Sequence, residues 1–99
     1  MEYKIEVLLS AQIEIEKVLD YYEKISIQLS VRFEEEVAST YAKLSVNPFF
    51  RKRHEDFRAI PMLKFPFLLF YTIEENKKVV KIISCFHTSQ NPKKYPESY

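Results

Sequence analysis

Tyr3, Ile5, Val7 and Leu9 alternate with Glu2, Lys4 and Glu6. That period of two predicts a half-buried strand, with Leu8 the one apolar residue out of step. Ser10 stands where an N-cap belongs, its hydroxyl placed to accept from a free N–H of a first helical turn. Ala11, Ile15, Val18, Leu19, Tyr22 and Ile25 follow at helical spacing, Ile13 lies off that stripe, and most charged residues fall elsewhere. A break over 26–30 leads to a second stripe of Phe33, Val37, Tyr41 and Leu44, with Glu34, Glu35 and Glu36 expected on the wet side. Asn47-Pro48 ends this helix, because the residue before a proline is pushed out of the helical region.

The pattern then changes. Arg51 to Asp56 reads as a charged loop and Phe57 to Leu63 as a strand, followed by a turn at Lys64-Phe65-Pro66. Phe67 to Ile73 is apolar on both faces, as a covered central strand should be. Glu75-Asn76-Lys77 reads as a hairpin turn, with Asn76 the residue most tolerant of positive φ. Val79 to Phe86 is the last strand, and His87 to Tyr99 is a polar tail punctuated by proline. The order is β-α-α-β-β-β. It predicts an α+β fold in one domain over 1–99, a helix hairpin packed on one face of a small, mainly antiparallel sheet.

Composition narrows the chemistry. The 99 residues include no glycine, which excludes phosphate cradles that need backbone without a Cβ. A lone Cys85 excludes an internal disulfide and any two-cysteine metal site, so no metal, cofactor or small-molecule ligand is expected. The first residues show no basic stretch leading into an apolar segment, and no apolar run reaches the ~18–20 residues of a membrane helix. The expectation is a cytoplasmic protein without membrane partners. Residues 1–50 carry 5 Lys/Arg against 9 Asp/Glu, and residues 51–99 carry 10 against 5. The basic second half suits an anionic partner, or else the two halves attract each other within the fold.

Arg51, Lys52 and Arg53 are the densest positive patch, able to hold phosphates or to form a solvated loop offset by Glu55 and Asp56. Arg58, at a strand start, can clamp a phosphate or carboxylate with two bonds, or pair with a helix carboxylate. His87 closes the last strand. By parity it shares a face with Val79, Lys81, Ile83 and Cys85, and it is a candidate proton shuttle or a structural histidine. Cys85 reads as a buried, inert thiol. Tyr95 and Tyr99 are rings in a polar tail, placed to stack on a base or to dock on the sheet.

Taken in order, Arg58, Phe65-Pro66-Phe67, Leu69-Phe70-Tyr71, a hairpin, and His87 followed by Pro92 and Tyr95 resemble the RelE/ParE superfamily of bacterial toxins. This includes the ParE-like plasmid stabilisation proteins. The first half agrees, with its short strand, early Ala11, and a helix of Phe33, Val37 and Leu44 ending at Asn47-Pro48.

The resemblance implies a growth-inhibiting toxin silenced by a cognate antitoxin, an acidic protein that folds on binding. The exposed helix hairpin and the sheet face near Phe67–Ile73 would be its docking surface. ParE-like members poison DNA gyrase without hydrolysis. RelE-like members cut mRNA on the ribosome by 2′-hydroxyl attack without metal. On the nuclease reading, His87 and Arg58 carry over as catalytic residues. Arg51, Lys52, Arg53, Arg58 and Tyr95 would contact nucleic acid or the target. Where many members place arginines after the histidine, this chain has Ser89 and Gln90. The loss of charge tilts the reading towards gyrase inhibition, with a binding-only member as a further alternative.

Overall fold

The computed structural model describes residues 2–50, 52–54 and 57–88, with the backbone alone for 52–54. Strand β1 (Lys4–Val7) is followed by helices α1 (Leu9–Ile25) and α2 (Ile27–Val46). Strands β2 (Lys52–His54), β3 (Phe57–Pro61), β4 (Phe67–Glu74) and β5 (Val79–His87) complete the chain order. They form one sheet of order β1-β5-β4-β3-β2, antiparallel except for the parallel β1–β5 pair. This is the expected α+β, β-α-α-β-β-β order, with one short strand added at the edge. The expected loop over 51–56 contains β2; Arg51, Glu55 and Asp56 lie outside the described residues.

The helices cover one face of the sheet. Ala11, Phe33 and Leu44 are buried there with Leu69, Tyr71, Val80 and Ile82, and Ile15, Val18, Leu19, Tyr22 and Tyr41 pack around them. Burying such side chains is the main favourable term, about 1.5–3 kcal/mol for each large apolar residue. The opposite face is also apolar and buried: Phe57, Ala59, Leu68, Phe70, Ile83 and Phe86 form a second cluster. Alternation along β4 sends successive residues to the two faces in turn.

Several local expectations are corrected. Helix α1 begins at Leu9 with Leu8 at its cap position, so Ser10 lies inside the first turn. The Ser10 hydroxyl instead donates to the Ile83 carbonyl at 2.8 Å. The break between helices narrows to Ser26, whose Oγ accepts from Leu29 N–H at 3.4 Å as an N-cap does. Ile25 is 61% exposed because the helix ends at that residue, beyond the core. Glu36 is buried, not wet: it lies three residues after Phe33 on the same helix face, and its Oε2 accepts from Leu63 N–H at 3.1 Å. Strand β3 ends at Pro61 and not at Leu63; one further bond in the same register, from Met62 N–H to the Phe67 carbonyl at 2.9 Å, leads into the turn. Positive φ falls on Lys78 (56°) and not on Asn76. Lys78 sits where β1 docks, its carbonyl accepting from Lys4 N–H at 2.8 Å and its Nζ 5.1 Å from the Tyr3 ring centre.

The β4–β5 pairing holds a bulge. Phe70 pairs with Ser84 but Tyr71 with Ile82, leaving Ile83 as the extra residue. Before it Val80 and Ile82 face the helices; after it Cys85 does. The insertion therefore reverses the parity expected for His87. It faces the helices with Cys85, while Ile83 belongs to the opposite cluster and Val79 and Lys81 alternate away from the helix-facing residues.

Strand β1 ends at Val7, opposite Ile82, while β5 continues to His87. The α1 cap residue and α1 itself serve the edge left beyond it: Leu8 N–H donates to Ile82 O at 3.0 Å, and Cys85 N–H donates to Glu14 Oε1 at 3.0 Å. Glu14→Ala is expected to cost about 1–3 kcal/mol by stranding the Cys85 N–H, lowering the urea midpoint. Glu14→Gln keeps an acceptor and is expected to recover most of the loss; equal midpoints for both variants would exclude this role.

Candidate functional site

Two polar constellations sit at opposite ends of the helix-covered face. The first forms where the chain leaves α2. Pro48 ends the helix and is fully buried. Phe49 N–H donates to Asn47 Oδ1 at 3.2 Å, and Phe50 N–H to the Pro48 carbonyl at 2.9 Å, so the chain makes a tight corner. Tyr71 holds that corner from beneath. Its hydroxyl donates to the Pro48 carbonyl at 2.6 Å and accepts from Phe50 N–H at 3.4 Å. Burial pushes the Tyr71 phenol up to about 12, partly opposed by the Phe50 N–H and by the positive charge of Arg58.

Arg58 holds the same corner from the side. Its Nη1 donates to the Phe50 carbonyl at 2.6 Å, and its guanidinium carbon lies 5.5 Å from the centre of the Phe49 ring. Arg58 is also the cross-strand partner of Tyr71 and of Lys52. The expected alternatives for Arg58 were a target anion or a helix carboxylate; among the described residues its contacts are a backbone carbonyl and a ring. The backbone of Lys52 and Arg53 follows directly in β2, whereas Arg51 and Tyr95 lie outside the described residues. Tyr71 is the side chain of this corner that the sequence reading missed. Its signal is a hydroxyl set in an otherwise apolar strand, which must find a partner when buried.

The second constellation surrounds His87. Its ring meets Phe67 edge-on at 5.1 Å, and the two line an open recess of about 320 Å³ with Lys17, Val18, Tyr21 and Tyr22 of α1. Cys85 stands two residues earlier on the same face but is buried. Burial, then the Glu14 carboxylate, pushes its thiol up to about 12, so it is no nucleophile at neutral pH.

The fold does not bring Arg58 and His87 together. His87 pairs with Phe67 and Arg58 with Tyr71, so they stand four residues apart along β4, roughly 13 Å, and two strands apart, roughly 10 Å. No cluster of three or more His, Cys, Asp or Glu suited to a metal occurs among the described residues. No helix among them is long and apolar enough to cross a membrane. The sheet face near Phe67–Ile73, expected to take a partner, is covered: Phe67 to Tyr71 are buried. Open apolar residues lie on the hairpin, at Leu9, Ile13 and Tyr21 of α1 and at Ile27 and Val31 of α2, and beyond it at Phe49, Phe50 and Leu63.

Comparison with known proteins agrees with this architecture. A search of curated proteins finds no significant match. Among solved structures, the chain is similar to one described as the chromosomal ParDE TA system from P. aeruginosa. The TM-score is 0.72 at 13% identity, covering 88% of this chain and 97% of that one. It is similar as well to one described as the toxin–antitoxin complex RelBE2 from Mycobacterium tuberculosis. Here the TM-score is 0.64 at 14% identity, covering 88% of this chain and 99% of that one. At these identities the likeness establishes the fold. The family model for the ParE toxin of type II toxin–antitoxin systems, parDE, matches residues 5–92. With the helix hairpin, the meander and all but the first residue of β1 inside that span, the chain belongs to the ParE toxin family of type II toxin–antitoxin systems.

Proposed function

We propose that this toxin inhibits DNA gyrase by binding, without hydrolytic chemistry, and that a cognate acidic antitoxin neutralises it in the cytoplasm. The observation that carries the reading is the separation of Arg58 from His87. Cleavage at a 2′-hydroxyl needs a proton acceptor and a phosphate-stabilising cation within reach of one phosphodiester. Here the candidate cation is bound to the Phe49–Phe50 corner and the candidate base lies in an aromatic recess at the far end of the sheet. The ParE match and the uncharged Ser89-Gln90 after His87 support the same side. The basic segment Arg51–Arg53 supplies the positive charge for a target, and Tyr95 is a further candidate contact.

The antitoxin reading rests on the family and on the open apolar residues of the hairpin, which suit an amphipathic segment that folds on binding. Induced expression of wild type beside His87→Ala tests the chemistry. Both are expected to arrest growth equally, because no proton transfer is involved. Loss of toxicity in a stably folded His87→Ala variant would favour the RelE-like nuclease reading.

A further inference from the structure

We propose that Arg58 is a positioning residue. With Tyr71 it clamps the corner at Phe49–Phe50 and thereby sets where the basic strand β2 lies, and it does not itself grip the target. The inference rests on the toxin reading above, in which the basic segment meets the target.

Arg58 touches the corner at both of its ends. It hydrogen-bonds the Phe50 carbonyl at 2.6 Å and covers the Phe49 ring, and across the β2–β3 ladder it pairs with Lys52. One residue therefore holds the corner through its guanidinium, at Phe49 and Phe50, and the start of β2 through its backbone, at Lys52. That planar, rigid fork can hold an acceptor in its plane while its face lies on a ring, which a lysine cannot do. Tyr71 supplies the other jaw through Pro48 and Phe50, and it has no exposed surface, so its hydroxyl has no route to a target. Strand β2 needs such an anchor. It is a three-residue edge strand with an irregular register between Lys52 and His54, and its ladder alone fixes it weakly.

The inaccessible Tyr71 separates positioning from contact. Full-length wild type, Arg58→Ala and Tyr71→Phe are titrated with inducer to growth arrest, and amide hydrogen exchange is followed on each purified chain. Both variants are expected to need about tenfold more toxin for arrest. Exchange at Phe50 and Lys52 should quicken by a similar factor, while the amides of α2 keep their protection. A merely structural role would instead raise exchange throughout and lower the melting temperature together with it. Should Tyr71→Phe accumulate poorly, Phe49→Leu removes the ring beneath the guanidinium, and the same local quickening is expected.

Full toxicity in Tyr71→Phe beside a crippled Arg58→Ala would overturn the inference and make Arg58 a direct contact. Full toxicity in Arg58→Ala would overturn it as well. A harmless wild type would take down the toxin reading and the inference with it, so the two failures remain distinguishable.

Discussion

Phe33→Ala is expected to lower stability by about 3–5 kcal/mol, the usual cost of truncating a buried phenylalanine and leaving a cavity. Phe33 has no exposed surface. Its ring meets Tyr22 of α1 at 5.6 Å, Phe65 of the β3–β4 turn at 5.2 Å and Phe67 of β4 at 5.6 Å. One side chain thus ties both helices to the sheet, and of its neighbours Tyr22 is held in a helix and Phe67 in a strand, which limits collapse into the space. Chains of this size carry roughly 5–15 kcal/mol in total, and each kcal/mol moves the melting temperature by about 4–8 °C. A thermal melt should therefore shift by about 12–40 °C. A shift under about 5 °C would mean that the hairpin docks without this aromatic cluster.

Alkali is expected to unfold the protein earlier than its surface charge would suggest. Burial pushes the Cys85 thiol and the Tyr71 phenol each to about 12, from ordinary values of 9.0 and 10.0. Tyr41 is raised to about 12 as well, by burial and then by the Cys85 thiolate. These groups keep their protons in the native state and lose them in the unfolded chain. Between pH 9 and about 12 the unfolded state therefore binds fewer protons, and stability falls as pH rises. Each pH unit above a group's ordinary value removes about 1.4 kcal/mol, so Cys85 and Tyr71 together take away about 4 kcal/mol by pH 11. Denaturant midpoints between pH 8 and 11 should show a decline that steepens above pH 9 and is shallower in Cys85→Ala, compared with that variant's own value at pH 8. A flat profile would contradict the burial of both groups.

Periodicity carried the fold a long way. The stripe of Phe33, Val37, Tyr41 and Leu44 and the two-faced apolar run from Phe67 are the core that packs. What escaped it depends on contacts between distant residues. The parity of His87 turns on one extra residue in β5, which shows only once Phe70 and Tyr71 are seen opposite Ser84 and Ile82. Ser10 has the residue type of a cap, yet its hydroxyl serves a carbonyl on a strand far along the chain, because β1 stops short of the end of β5. Glu36 sits in a run of three glutamates that reads as solvated, and its burial follows from a turn amide that needed an acceptor. Arg58 and His87 were both legible as candidates. Their distance from each other, and the tyrosine that holds the corner beside Arg58, required the strand register.

The central claim is that this toxin acts on gyrase by binding. It is tested most directly by adding the purified full-length chain to two reactions in parallel: DNA supercoiling by gyrase, and translation on purified ribosomes with the mRNA followed on a gel. The account predicts that supercoiling stops with accumulation of cleaved DNA while the mRNA stays intact, and that His87→Ala behaves like wild type. Intact supercoiling together with mRNA cut at the ribosome, and no cutting by His87→Ala, would contradict it.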